Sequence, residues 1–111
     1  MPQLKALKYL LDIRIAVERI EAFMSDVPDV EAFQKDLKTR LAIERLFGII
    51  GEAVNLYGKV EFVDELPDAR RIVDFRNRLI HAYDDIDELV VWEILQTHIP
   101  ALKKRVDELI R

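Results

Sequence analysis

Cysteine is absent from this chain, and glycine and proline are scarce, at three and four residues. Without thiols there is no disulfide framework, thiolate metal site or cysteine nucleophile, and a reducing, cytoplasmic setting fits. Few turn formers argue against a hairpin-rich β protein, whereas abundant Leu, Ile, Glu, Lys and Arg favour helices. Long apolar runs are missing too. The longest are a few residues, far from the roughly 20 needed to cross a bilayer, and the first residues lack the layout of a secretory signal. A soluble protein with no membrane partner is expected. Basic excess is also lacking: 17 Lys and Arg against 21 Asp and Glu give a net charge of −4. That argues against a broad basic face for nucleic-acid phosphates but leaves room for a small, locally positive pocket. At 111 residues the chain can bury one core and is too short for two, so a single domain over residues 1–111 is expected.

Apolar periodicity dominates what is present. Ala6, Leu10, Ile13, Val17, Ile20 and Met24 recur at steps of three and four, which predicts a first helix over Leu4 to Met24 with one buried stripe. Ser25, Asp26, Pro28 and Asp29 predict its end. A second helix is expected from about Val30 to Tyr57. Its later part, LAIERLFGIIGEAVNLY, is apolar around most of its circumference and reads as the central element of the core. Gly58 predicts its stop, and VEFV (residues 60–63) reads as loop because it has no partner strand. A third helix is expected over about Pro67 to Ala82 and a fourth over Asp87 to Ile110. In the fourth, Trp92, Leu95, Ile99, Leu102, Val106 and Leu109 form the buried stripe and Pro100 introduces a kink.

Two features break the apolar pattern. Glu44, Gly48, Glu52 and Asn55 stack along one strip of the second helix, and Gly48 and Gly51 each cost about 1 kcal/mol relative to Ala there. Close approach of another helix accounts for both glycines. In the third helix Ile72, Phe75 and Leu79 define an apolar arc, and Arg76 falls inside it, whereas Arg71, Asp74 and Arg78 face water. An inward guanidinium needs an anion. Either Glu52 or Glu44 supplies it, making Arg76 a satisfied core cation, or Arg76 waits half-buried for a phosphate or developing oxyanion.

His81 follows five positions later, about 140° around the helix from Arg76. It reads either as a surface or capping residue or as a general acid or base. A straight helix does not aim both groups at one small substrate. Either the helix unwinds near Ala82, or two chains bring their motifs together into one shared site. Tyr83 either closes a helix corner by packing or takes part in the same site. His98 lacks a second ligand at helical spacing, so no metal site is expected, and no phosphate loop, serine elbow or HExxH pattern occurs. ARRIVDFRNR, with four arginines against one aspartate, makes a locally positive edge.

RNRLIHAY, residues 76–83, resembles the Arg-x4-His-x-Tyr signature of HepT toxins, members of the HEPN domains. LAIERLFGIIGEAVNLY is similar to that family's central helix, and DIDELVVWEILQTHIPAL resembles its tryptophan-containing last helix with internal proline. The likeness spans nearly the whole chain with no departure at the signature positions. It implies an all-α antiparallel bundle of four to five helices that forms a homodimer. It also implies a metal-independent endoribonuclease without cofactor, whose cleft is built by both protomers. The implied partners are RNA as substrate and a minimal nucleotidyltransferase as antitoxin. Carried residue by residue, the catalytic pair is Arg76 and His81, the adenylylated position is Tyr83, and Asn77 and Arg78 support the substrate phosphate. The competing expectation is a non-catalytic helical dimer that docks a nucleotidyltransferase or nucleotide through its arginines.

Overall fold

The computed structural model describes residues 3–67, 69–81 and 87–111, with Ile80 and His81 described by their backbone alone. Five helices and no strand are found among them: α1 (Leu4–Met24), α2 (Val30–Lys35), α3 (Leu37–Tyr57), α4 (Ala69–His81) and α5 (Glu88–Ile110). The architecture is an all-α bundle in which α3 is central, packing against α1, α2 and α4, while α5 closes the core against α1 and α2.

The stripe predicted for α1 is the one it buries: Ala6, Leu10, Ile13, Val17 and Ile20 are all within the core, joined by Ala16. The single long helix expected over Val30 to Tyr57 is instead two. Asp36 interrupts it, with its Oδ1 accepting the Thr39 N–H at 3.0 Å and its Oδ2 accepting the Thr39 hydroxyl at 2.6 Å. Such a cap satisfies donors that a continuous helix would have bonded to its own carbonyls, so the chain ends one helix and starts another at the same residue. Asp29 caps α2 through the Ala32 N–H in the same manner. The apolar girdle of α3 is buried as expected, including Ile43, Leu46, Phe47, Ile50 and Val54. Trp92 of α5 meets Phe33 of α2 at 5.8 Å between ring centroids.

Helix α3 stops at Gly58, and residues 60–63 are not strand. The Tyr57 hydroxyl donates to the Asp64 carbonyl at 2.7 Å, folding this connection back on the helix end, and Leu66 drops into the core. Asp87 caps α5, which continues through Pro100 as one helix. Among the described residues no helix is long and apolar enough to cross a membrane.

Helix α4 runs antiparallel along α3. Phe75 packs edge-on to Phe47 at 5.5 Å, and one turn earlier the Ile72 carbonyl lies over Gly51. The two glycines of α3 then part company. A Cβ at Gly51 would fall 2.3 Å from the Cβ and 2.7 Å from the Cγ of Arg76, inside any permitted contact, so α4 can lie where it does only because that side chain is missing. Gly48 has nothing within 4 Å of its missing Cβ. Close helix approach, expected of both, is the reason for Gly51 alone. Gly51→Ala should therefore destabilise the protein by about 1–3 kcal/mol through overpacking, despite the better helix propensity of alanine. Gly48→Ala should stabilise it by up to about 1 kcal/mol. Urea midpoints of the two variants against the parent protein check the opposite signs.

Candidate active site

The stem of Arg76 crosses α3 at the Gly51 notch, which brings its guanidinium to the next residue along. Nη2 donates to Glu52 Oε2 in a short ion-paired hydrogen bond, and Nη1 donates to Asn77 Oδ1 at 2.9 Å. Of the two carboxylates on the strip, Glu52 is thus the partner. The Arg76 side chain keeps 24% of its surface exposed and Glu52 keeps 46%, so the pair sits at the rim of the bundle and not inside it. A pair this exposed contributes about 0–1 kcal/mol to stability. Its consequence is orientation. A guanidinium has five N–H donors in a planar fork, and among the described residues two of them are engaged, leaving the others for an incoming anion.

The remaining predicted positions sort by face. Arg71, Asp74, Asn77 and Arg78 are exposed, as the helical wheel requires, and Ile72 and Phe75 are buried. Asn77 belongs with Arg76 through its side-chain amide. His81 is the last residue of α4, in register five positions beyond Arg76 on an unbroken helix; its side chain lies outside the described residues, as does the whole of Tyr83. Among the described residues no three His, Asp or Glu side chains form a group that could hold a metal ion.

The class that the described residues define is an all-helical bundle with a rim arginine held by a carboxylate. Comparison with known proteins gives that class a family. The family model described as ribonuclease HepT-like matches residues 13–109. A Thermococcus cleftensis protein named "Probable ribonuclease HepT" is 36% identical over 102 residues, covering 91% of this chain and 92% of that one. Two proteins of Methanocaldococcus jannaschii named "Putative RNase" are 33% and 31% identical, the second over the whole of this chain and 96% of its own length. No solved structure matches. The chain belongs to the HepT-like ribonuclease family.

The ion pair of Arg40 with Glu88, which pins the first turn of α5 to the start of α3, escaped the sequence reading. Arg40 lies one turn from Glu44 on α3, a spacing that hinted at a charged cluster, but nothing local pointed to Glu88. Burial holds the Glu44 carboxyl above its ordinary range; Arg40 opposes this and the negative charge of Glu88 adds to it. A carboxyl whose pKa is raised by folding binds its proton more tightly in the folded state, so its ionisation works against the fold. Its contribution is most favourable below the unfolded-state pKa and declines as pH rises to the raised value. Glu44→Gln should accordingly be at least as stable as the parent at pH 7, with the difference shrinking as pH falls through the carboxylate range. Denaturation midpoints between pH 4 and 7 test this.

Proposed function

We propose that this member of the HepT-like ribonuclease family is a metal-independent endoribonuclease whose cleft is shared by two copies of the chain, with Arg76 and His81 as the catalytic pair. The observation that carries the reading is the rim position of Arg76, oriented by Glu52 and Asn77 with donors left over. In RNA cleavage without a metal, the ribose 2′ oxygen attacks the adjacent phosphorus, the bond to the 5′ oxygen breaks, and a cyclic phosphate and a 5′ hydroxyl result. An imidazole at position 81 moves the proton, and the guanidinium stabilises the charge on the pentacoordinate phosphorane. Asn77 and Arg78 support the phosphate. On one straight helix positions 76 and 81 diverge by about 140°, and a twofold axis beside α4 lets one protomer's arginine join its partner's histidine.

Regulation follows from the same chemistry. The chain acts as the toxin of a toxin–antitoxin pair, and a minimal nucleotidyltransferase silences it by adenylylating Tyr83. The added phosphate would bring negative charge into the shared cleft, occupying Arg76 and repelling RNA. A non-catalytic dimer that docks the nucleotidyltransferase or a nucleotide is the second reading, favoured by the net charge of −4. It predicts no turnover, with Arg70, Arg71 and Arg78 mattering as much as His81.

Purified protein should cleave RNA in EDTA. Arg76→Ala should lower the rate by about 100-fold or more, and His81→Ala by about 100- to 10,000-fold, with helicity and oligomeric mass unchanged. Tyr83→Phe should remain active after incubation with the nucleotidyltransferase and ATP, conditions that silence the parent. Folded Arg76 and His81 variants with full activity would defeat the catalytic reading.

A further inference from the structure

Away from Arg76, the opposite side of α4 forms a second feature. Between α4 and α5 lies an open groove of about 380 Å³, walled by Arg70, Arg71, Asp74 and Arg78 and floored by Phe75 and Ile94. Helix α4 carries four arginines against one aspartate within a chain of net charge −4, the largest positive excess of any of the five helices. Arg71 reaches only to 3.8 Å from Glu93 of α5, both side chains being more than half exposed. Arg70 and Arg78 are exposed and, among the described residues, have no carboxylate within ion-pair distance. On the helix, positions 70, 71, 74, 78 and 81 fall within an arc of about 100°, whereas Arg76 stands about 120–160° from Arg70 and Arg78. The groove face is therefore the face on which His81 stands by register, one turn beyond Arg78. From Arg70 to His81 the stripe runs about 16 Å.

Resting on the ribonuclease reading, we propose that this groove is the track of the substrate strand, with Arg70 and Arg78 binding phosphates of single-stranded RNA on the approach to His81. Two cations without a carboxylate partner among the described residues, on an acidic chain, match a polyanion, and a guanidinium fork matches a phosphate in geometry as well as charge. Asp74, between them, tempers the affinity. Each protomer then contributes two faces of one helix: the α5 side carries the strand, and the α3 side offers Arg76 to the reacting phosphate.

The test uses the full chain and single-stranded RNA made uncleavable by 2′-O-methyl substitution, with binding followed by fluorescence anisotropy across a salt series. The Arg70→Gln/Arg78→Gln double variant should bind more weakly and should reduce the slope of log Kd on log salt by about 1.4, as expected for two lost contacts to a single strand. Asp74→Asn should tighten binding, a gain that misfolding cannot imitate. An unchanged slope in the folded double variant, or equal competition by poly-glutamate and unlabelled RNA, would overturn the assignment. Because no cleavage is read, the two proposals fail separately. Groove-dependent binding without turnover in EDTA overturns the catalytic reading alone, and turnover with an unchanged slope overturns the groove alone.

Discussion

The contact between Arg76 and the bare backbone of Gly51 sets the distance between α3 and α4, and much of the site follows from it. The aliphatic stem of the arginine occupies the space that a side chain at 51 would fill. With the stem lying there, the guanidinium emerges over the next residue, Glu52, and beside Asn77. An exposed ion pair contributes little to stability, so its worth lies in fixing the plane and direction of the fork. Packing thus determines where the charge is, and the charge pair determines how it points.

Charge is distributed to match. An acidic chain has no general attraction for RNA, yet α4 concentrates arginines on both of its flanks. One flank is pressed against α3, where Arg76 meets a carboxylate; the other borders α5, where Arg70 and Arg78 meet none among the described residues. The first arrangement suits a group that must hold one orientation through a reaction. The second suits cations that bind phosphates from solution. On the proposed track, such a division would limit binding to strands that follow the helix, in place of indiscriminate adhesion to polyanions.

Much of this was legible in the residues themselves. The α1 stripe and the apolar girdle of α3 follow from a 3.6-residue period, and burial obeys it; the same period turns Arg76 toward α3, where it is half-buried at the rim. The break at Asp36 was not legible, because an aspartate with a threonine three residues on fits an amphipathic helix as well as a cap, and local hydrogen bonding decides between them. Gly48 and Gly51 look alike in sequence; only the path of α4 distinguishes the one that is covered from the one that is open. For the same reason Glu44 and Glu52 were equal candidates for Arg76, being on one strip, until the register between two helices chose the second. The Arg40–Glu88 pair joins positions 48 residues apart and has no local signature.

The measurement that bears most directly on this account is single-turnover RNA cleavage in EDTA by Arg76→Lys. Lysine keeps the charge and an aliphatic stem that fits the Gly51 notch, but it loses the planar fork. If the fork held by Glu52 and Asn77 is what the reaction requires, the folded variant should bind RNA nearly as well as the parent and cleave it about 100-fold more slowly. Cleavage at the parent's rate would mean that positive charge alone suffices and would contradict the account.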